Sequence, residues 1–280
     1  MKYAQPTQFD EALALLAHDK WTILAGGTDY YPGLRDQAPT DNVLSIYCLN
    51  ELRCIEEDGD FLRIGALVSW SDIVNTDLPS AFNGLKLAAR EVGSVQIQNR
   101  ATLVGNLCNA SPAADGVPPL LTLDAYIELV SKNTKRRLPL SEFVLGNRKT
   151  ALHDDELVSA ILIPKQSMEG QSTFIKLGAR KYLVISISMV AARMVCNDQN
   201  CITDIALSIG SCSLVAQRLP ELEQALIGKQ ASPDIIDQVS KAHLDPLAPI
   251  DDVRATKHYR ADASLVLLRR AIASLVDATV

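Results

Sequence analysis

The chain carries one dense run of small and polar residues, Gly105-Asn106-Leu107-Cys108-Asn109-Ala110-Ser111-Pro112-Ala113-Ala114-Asp115. This run lies inside a longer segment, residues 92–119, which is rich in Gly, Asn, Ser and Pro and is predicted to be irregular. Irregular segments of that length inside a compact domain usually have a function. We therefore expect residues 92–119 to be functional.

Two glycine-containing loops stand out. The first, Ala25-Gly26-Gly27-Thr28-Asp29, follows a short apolar run of strand type. The second, Thr102-Leu103-Val104-Gly105-Asn106, leads into the dense run. Glycines let backbone amides approach an anion closely, and consecutive amides can form a concave anion site without a cationic side chain. Both loops are therefore candidates for binding phosphate groups.

The side chains of these loops favour a ligand with two kinds of polar group. Neither loop contains Lys or Arg, but Thr28, Thr102 and Ser111 can supply hydroxyl donors. The carboxylates of Asp29 and Asp115 would repel phosphate and suit the hydroxyls of a ribityl or ribose chain. A ligand with both a pyrophosphate and a polyol chain fits this mixture.

Simpler explanations exist for each loop taken alone. A tight turn with positive φ would account for Gly26-Gly27-Thr28, and an ordinary loop with a fixed φ would account for Ser111-Pro112. The Walker pattern Gly-x-x-x-x-Gly-Lys-Ser/Thr and the Rossmann pattern Gly-x-Gly-x-x-Gly are both absent. The loops therefore do not predict either of those nucleotide-binding folds.

Hydrophobic periodicity predicts a mixed α and β chain whose character changes near residues 165–170. Capping patterns predict helix starts at Thr7-x-x-Asp10 and Ser69-x-x-Asp72. Strands are expected at residues 21–24, 43–46, 61–66, 125–130 and 157–163, with a helix at about 79–90. Beyond residue 170 the pattern predicts a β-meander at 173–177, 185–196 and 202–209, and helices at 219–226, 234–243 and 263–275.

Composition excludes several functional classes. The net charge of −6 argues against nucleic-acid binding, which needs a basic face. The chain is 48% hydrophobic, and its amino-terminal residues have no apolar signal core, so we expect a soluble, cytoplasmic protein without a membrane span. The six cysteines form no Cys-x-x-Cys pair, and the four histidines have no ligand spacing, so no metal site is predicted.

Taken together, the motifs resemble the FAD-binding medium subunit of the xanthine dehydrogenase and carbon monoxide dehydrogenase family, the molybdenum hydroxylases. The resemblance covers nearly the whole chain, and its order and spacing are highly specific. Besides the two loops and the dense run, it rests on Phe9-Asp10-Glu11-Ala12, Leu62-Arg63-Ile64-Gly65-Ala66, Gln96-Ile97-Gln98-Asn99-Arg100, Leu120-Leu121-Thr122-Leu123-Asp124-Ala125, Ile163-Pro164, Phe174-Ile175-Lys176, Tyr259-Arg260 and Arg269-Arg270.

The resemblance implies an α+β fold with two parts. The first is a two-subdomain FAD-binding fold of the vanillyl-alcohol-oxidase (PCMH) type at residues 1–168, with subdomains at about 1–52 and 53–168 and the FAD between them. The second is a C-terminal domain like that of the carbon monoxide dehydrogenase flavoprotein, at residues 169–280, with a three-stranded antiparallel sheet and a helical bundle.

The resemblance also implies a set of FAD-binding residues and no catalytic acid, base or metal ligand. The paired loops would hold the pyrophosphate, Asp115 corresponds to the Asp of the family's Ser-Pro-x-x-Asp stretch, and Lys176 to its flavin-contacting Lys. Val158 corresponds to an apolar residue near the adenine. The full set is Ala25, Gly26, Gly27, Thr28, Asp29, Thr102, Leu103, Val104, Gly105, Asn106, Ser111, Asp115, Val158 and Lys176.

The chain departs from the family at three positions. Val104 replaces the first glycine of the usual Thr-Ile-Gly-Gly-Asn, which keeps the amide and adds a side chain. Gln98 stands where Arg is common, which removes one possible charge interaction. Val184 stands where Asp is frequent, just before Ile185, the residue at the position that covers the flavin ring.

The implied role is electron transfer. A large molybdopterin-binding partner would hydroxylate the substrate, a small partner with [2Fe-2S] clusters would pass the electrons on, and FAD in this chain would deliver them to a final acceptor. A heterotrimer or a dimer of heterotrimers is expected. Two alternatives are a stand-alone flavoenzyme of the same fold that acts on its own substrate, and a scaffold subunit that has lost its flavin. The two intact loops argue against the scaffold.

Overall fold

A computed structural model describes residues 1–279 of the chain, so residue 280, the end of the predicted C-terminal domain, lies outside the described residues. The strands are β1 (Tyr3–Ala4), β2 (Thr22–Leu24), β3 (Val43–Ser45), β4 (Ile55–Asp58), β5 (Phe61–Gly65), β6 (Tyr126–Val130), β7 (Lys135–Pro139), β8 (Val144–Gly146), β9 (Lys149–Thr150), β10 (Leu157–Pro164), β11 (Gln171–Leu177), β12 (Ser188–Cys196), β13 (Ile202–Gly210) and β14 (Gln217–Arg218).

The α-helices are α1 (Phe9–Leu16), α2 (Tyr30–Leu34), α3 (Trp70–Asn75), α4 (Asn83–Glu91), α5 (Val95–Gln98), α6 (Leu103–Asn109), α7 (Val117–Thr122), α8 (Leu140–Phe143), α9 (Pro220–Leu226) and α10 (Lys257–Thr279). Short 3₁₀ helices cover Asn50–Arg53, Ser80–Phe82, Lys165–Met168, Pro233–Gln238 and Lys241–Leu244. None of the helices within residues 1–279 is both long and apolar enough to cross a membrane. The predicted mixture of helix and sheet is confirmed.

The first 165 residues build three sheets. A small parallel sheet has the order β1-β3-β2, and an antiparallel sheet has the order β4-β5-β10-β6-β7, while β8 and β9 form a hairpin. Strand β10 lies at the centre of the larger sheet and every one of its residues is buried, which explains its continuous apolar sequence. Between β5 and β6 the chain leaves this sheet and forms α3 to α7.

The second part is built on an antiparallel sheet with the order β11-β12-β13-β14. The predicted meander is confirmed, with two corrections. A fourth strand, β14, pairs with β13, so the sheet is not three-stranded. Strand β12 begins at Ser188 and not at residue 185, because the chain first makes a loop that closes when the Ile187 N–H donates to the Leu177 carbonyl at 2.7 Å.

Two helix predictions were wrong for local reasons. Helix α1 begins at Phe9, which puts Gln8 at the N-cap position, so Thr7 is one residue too early to cap it. The helix predicted at 234–243 is two 3₁₀ turns, because Ser240 makes its own capping bonds with His243 and interrupts the run. The capping box at Ser69 and Asp72 is confirmed, with bonds of 3.1 and 2.8 Å.

Two large hydrophobic clusters hold the chain together. The first contains buried residues from Ala12 to Ile163, and the second contains buried residues from Val190 to Val276. Helix α7 belongs to the first cluster and packs against β12 and β13 of the second part. The two parts therefore share an interface next to the segment that the sequence marks as functional. The division at residue 168 stays a prediction.

Candidate functional site

The first glycine loop connects β2 to α2, and both glycines are needed there. A Cβ on Gly26 would lie 1.9 Å from the Arg100 carbonyl oxygen, so only glycine allows this backbone contact. Gly27 has a φ of 74°, in the left-handed region that favours glycine, and the Tyr31 ring lies over it. The contact of Gly26 with Arg100 brings the first loop against the residue pair that precedes Thr102.

Four successive backbone amides of this loop are available to a ligand. Within residues 1–279, the N–H groups of Gly26, Gly27, Thr28 and Asp29 have no hydrogen-bond partner. Buried or partly buried amides without partners are rare, and consecutive free amides are suited to an anion. This arrangement fits the pyrophosphate of FAD and needs no cationic side chain in the loop.

The second glycine loop is the start of a helix and not an irregular loop. Thr102 caps α6 by accepting the Gly105 N–H at 2.9 Å, and its own carbonyl accepts the Asn106 N–H at 3.1 Å. Leu103 donates its N–H to the Val68 carbonyl at 3.1 Å. The prediction that residues 92–119 are irregular was therefore wrong, since α5, α6 and part of α7 lie within them. Capping leaves the Thr102 hydroxyl proton free to donate to a ligand.

Val104 and Gln98, two departures from the family pattern, have structural roles. The Val104 side chain is buried in the first hydrophobic cluster, so it points away from the loop surface. The Gln98 amide donates to the carbonyls of Arg90 and Val92 at 3.2 and 3.1 Å, and thereby caps the end of α4. Neither substitution introduces a side chain into the space between the two loops.

Asn106 connects the second loop to Asp115. Its side-chain oxygen accepts the Gly116 N–H at 3.1 Å, which holds residue 116 against the first turn of α6. Ser111 stabilises the intervening turn by accepting the Ala113 N–H at 3.2 Å. These contacts form one series from Gly26, next to Arg100, to Gly116, the neighbour of Asp115.

Asp115 and Lys176 form an ion pair. The Lys176 ammonium lies 2.9 Å from Asp115 Oδ2, and the two side chains are 5% and 12% exposed. The Ser186 hydroxyl donates to Asp115 Oδ1 at 3.1 Å. Burial raises the pKa of Asp115, an effect that Lys176 and then Ser186 offset only in part. The structure thus brings Lys176, from the second part, to the end of the series of loop residues.

Sequence reasoning missed Arg148, which bridges the first loop and the dense run that follows the second loop. Its guanidinium lies 3.1 Å from Asp29 Oδ2 and 2.9 Å from Asn109 Oδ1, and its N–H donates to the Ala110 carbonyl. It lies in the turn between β8 and β9 with a φ of 53°. The turn sequence Gly146-Asn147-Arg148 was a local signal of such a conformation, but nothing in it indicated Asp29 as the partner.

Arg100 is a second cation that the fold adds to the site. Its guanidinium stacks on the Tyr47 ring at 4.7 Å and donates to the Tyr47 hydroxyl, while Arg53 covers the same ring at 4.6 Å. The two loops lack basic residues, but Arg100 and Arg148 place positive charge beside them. That charge would favour an anionic ligand.

Val158 and Ile185 occupy contrasting positions relative to this site. Val158 lies in the central strand β10, is 2% exposed and belongs to the first hydrophobic cluster. Ile185 lies on the loop between β11 and β12, where its side chain is 52% exposed. Ile185 is the neighbour of Ser186 and so stands next to Asp115, but the contact of Val158 with adenine has no support from its position.

Two cavities lie away from the candidate residues. One of about 500 Å³ is lined by residues near the β12–β13 turn, such as Cys196, Asn197 and Asp198. The other, of about 350 Å³, lies beside Leu121, Val215 and His243. None of the predicted FAD-binding residues lines either of these two cavities.

Comparisons with known proteins identify the family of the chain. Residues 1–166 match the model of the FAD binding domain in molybdopterin dehydrogenase, and residues 173–275 match the CO dehydrogenase flavoprotein C-terminal domain. The chain is 29% identical to the nicotine 6-hydroxylase medium subunit of Paenarthrobacter nicotinovorans, over 97% of this chain and 96% of that one. It is 30% identical to the glyceraldehyde dehydrogenase medium chain of Sulfolobus acidocaldarius, over 96% of each.

A solved structure is similar over almost the whole chain. It is the carbon monoxide dehydrogenase of Hydrogenophaga pseudoflava in the form that lacks the Mo-pyranopterin moiety of the molybdenum cofactor. The TM-score is 0.85 at 25% identity, with 99% of this chain and 97% of that chain covered. The predicted family, the oxidoreductase class and the FAD cofactor are confirmed by these matches. The chain belongs to the family of FAD-binding subunits of the molybdopterin dehydrogenases.

Proposed function

We propose that this chain holds FAD in the groove between its two glycine-containing segments and transfers electrons within a molybdenum hydroxylase complex. The observation that carries the proposal is the row of four free amides at residues 26–29, which the contact of Gly26 with Arg100 sets against the capped start of α6. The four amides would bind one phosphate of the pyrophosphate, and the Thr102 hydroxyl would donate to the other phosphate. A fold of the vanillyl-alcohol-oxidase type, with FAD between subdomains 1–52 and 53–168 and a C-terminal domain at 169–280, is part of the proposal.

The remaining candidate residues would orient the cofactor. Ser111 and the Asp29 carboxylate suit hydroxyl groups of the ligand, and Arg148 keeps Asp29 in place. Lys176 would stand beside the flavin ring, with Ile185 on the exposed loop as its cover. Val158 would contact the adenine only if the core around β10 opened when FAD binds.

Flavin supplies the redox chemistry when it is bound, and this chain supplies binding, orientation and electrostatics. A cation at Lys176 would stabilise negative charge that develops nearby, most strongly where water is excluded. The pairing with Asp115 weakens the electrostatic effect of Lys176. If Asp115 bonded a ligand hydroxyl in place of Lys176, that effect would become stronger. No side chain at the groove is placed as a general acid or base.

The proposed partners follow from the names of the relatives. The relatives are medium subunits or chains of larger dehydrogenases. We include in the proposal a small iron–sulfur subunit with [2Fe-2S] clusters, a large molybdopterin-binding subunit, a heterotrimer or a dimer of heterotrimers, and a cytoplasmic location. Electrons would then pass from the clusters through this chain to the final acceptor.

The experiment is to measure flavin bound per chain in loop variants. Gly105→Val is the main variant, because a Cβ there would lie 2.8 Å from the Thr102 hydroxyl that the proposal assigns to the pyrophosphate, and Gly27→Val is the second. Gly33→Val is the matched control, since the space beside Gly33 is open. Acid release followed by chromatography should identify FAD in the wild type and the control, and a severalfold loss of FAD in both loop variants.

The same measurement contains the contradicting outcomes. Released FMN, or flavin that stays with the precipitated protein, would contradict noncovalent FAD. An unchanged ratio of FAD to protein in both loop variants would show that the phosphate assignment is wrong. Circular dichroism of each variant separates a loss of binding from a loss of fold, and Gly105→Val decides if Gly27→Val does not fold.

A further inference from the structure

Arg260 is a buried arginine at the start of α10 that the proposed function does not use. It is 3% exposed, and its guanidinium donates to the carbonyls of Ile187 at 2.5 Å and Ser211 at 3.1 Å and to Asp252 Oδ1 at 2.7 Å. Its Nε has no hydrogen-bond partner within residues 1–279. Burying a guanidinium costs desolvation energy, so its place at two backbone carbonyls needs a reason.

The Asp252 carboxylate keeps this guanidinium paired. Burial alone would raise the pKa of Asp252, but hydrogen bonds from the Arg254 N–H and from the Arg260 guanidinium hold that pKa well below its ordinary value. The carboxylate is therefore charged throughout the neutral range. Asp252 lies in the segment before α10, so the pair also ties that segment to the first turns of the helix.

The first carbonyl, that of Ile187, belongs to the loop beside Lys176. Ile187 donates its N–H to the Leu177 carbonyl at 2.7 Å, so it closes the loop that starts after Leu177, the residue that follows Lys176. The preceding residue, Ser186, donates to Asp115 Oδ1. A displacement of the Ile187 carbonyl would therefore move both Ser186 and the end of the strand that carries Lys176.

The second carbonyl, that of Ser211, connects to the Ser111–Asp115 turn. Ser211 has a φ of 64°, an unfavourable conformation for a non-glycine residue, and so depends on its surroundings. Its N–H donates to the Pro112 carbonyl at 3.1 Å. Arg260 therefore supports Ser211, which bonds directly to the turn on which Asp115 lies.

We infer that Arg260 is a positioning residue for the flavin site, which sets the Asp115–Lys176 pair and the loop of Ile185 relative to the turn at residues 111–115. Its guanidinium bonds both the segment of Ile187, next to Ser186, and the segment of Ser211, next to the turn of Asp115. Arginine suits this duty because its planar fork can donate to several acceptors in fixed directions. The inference rests on the proposed function, since it assigns the role of Arg260 through residues that are placed next to the flavin.

The test compares Arg260→Met with Arg193→Met in the full chain. Arg193 is a matched control because it is equally buried and also bonds a backbone carbonyl and a carboxylate, but at the far end of α7. Both variants should lower the unfolding temperature. Only Arg260→Met should weaken FAD binding, by about tenfold in the dissociation constant, and shift the flavin midpoint potential.

Arg260→Lys keeps the charge but not the fork, and it decides the question if Arg260→Met does not fold. It should restore part of the FAD affinity and should not restore the potential fully. Equal FAD affinity and potential in the wild type and the folded Arg260 variant would overturn the inference, as would an equal loss in Arg193→Met. A wild-type chain that binds no FAD would instead contradict the proposed function, so the two failures are distinguishable.

Discussion

Helix α7 (Val117–Thr122) meets the C-terminal sheet through an ion-paired aspartate just beyond each end. Before its amino end, Asp115 pairs with Lys176 and accepts one further bond, from Ser186. Beyond its carboxyl end, Asp124 accepts bonds from Arg218 at 2.9 Å and Ser167 at 2.8 Å. One short helix therefore carries two ties of similar composition between the same two parts of the molecule.

At the carboxyl end, each arginine has more than one carboxylate or carbonyl partner. The same arginines also donate to carbonyls of the last turn of α7. Arg193 donates to the Thr122 carbonyl at 2.8 Å and to Asp204, and Arg218 donates to the Leu121 carbonyl at 2.8 Å and to both oxygens of Glu223. Carbonyls at the end of a helix need such partners. The loss of the Asp124 bonds would still leave each guanidinium with a carbonyl and a carboxylate.

The ion pair at the amino end has no comparable set of additional partners. Lys176 has one other polar contact, a carbonyl bond to Glu91 at 3.4 Å, and burial already raises the pKa of its partner. The Asp115–Lys176 pair is nevertheless buried, so separating the two side chains would leave a buried charge without its partner. The comparison shows that the carboxyl end of α7 is held by several partners for each arginine, whereas the amino end, at the proposed flavin site, depends on one ion pair and one serine.

Arg193→Met should have the largest effect of these predictions. It removes a guanidinium from a residue that is 1% exposed and leaves the buried Thr122 carbonyl without its donor, while Asp204 is half exposed, so we expect a loss of about 3 kcal/mol in the free energy of unfolding. Urea unfolding would measure it. Lys20→Met, which breaks a pair between side chains that are 80% and 75% exposed, is the control and should change little. Equal losses in the two variants would show that the carboxyl end is not fixed by Arg193.

Lys176→Met should have a smaller effect that depends on pH. Because the folded pKa of Asp115 is raised, this group contributes stability that is present at low pH and lost as the pH rises through that pKa. Removing Lys176 raises the pKa further, so the variant should lose about 1–3 kcal/mol relative to wild type near pH 8 and less near pH 5.5. Urea unfolding at both pH values would test this.

Asp115→Asn in the Lys176→Met background is the matched control for this pH dependence. The double variant has no carboxyl group to titrate at this point, so the extra loss at high pH should disappear. A pH dependence that persists in the double variant would assign it to another group and would remove the contrast between the two ends of α7.

Asp124→Asn should have the smallest effect. Asp124 is 47% exposed, and both arginines keep their other partners, so the loss should be about 0–1 kcal/mol and should shrink further at high salt. Urea unfolding at low and high ionic strength would measure it, with FAD content expected to stay at the wild-type level. A loss as large as that of Arg193→Met would mean that Asp124 itself, and not the redundant network, fixes the carboxyl end.

Local patterns in the sequence predicted much of the fold. The apolar run of β10, the capping box at Ser69 and the meander beyond residue 170 each depend on neighbours within a few positions, so they are legible without the tertiary structure. The errors were also local, as at Thr7, where a pattern of the right type was one residue out of register. The long segment at residues 92–119 was misjudged because short helices such as α6 are stabilised by their caps and their packing more than by propensity.

The sequence by itself determined the family, the two glycine segments and the cofactor they suit, because these rest on residue types in a fixed order. Only the tertiary structure decided that Gly26 touches Arg100, that Arg148 pairs with Asp29, that Lys176 pairs with Asp115 and that Val158 is buried. The partners in the two ion pairs lie 119 and 61 positions apart in the chain. Pairing and burial at such separations depend on which elements pack together, and no local pattern of side chains contains that information.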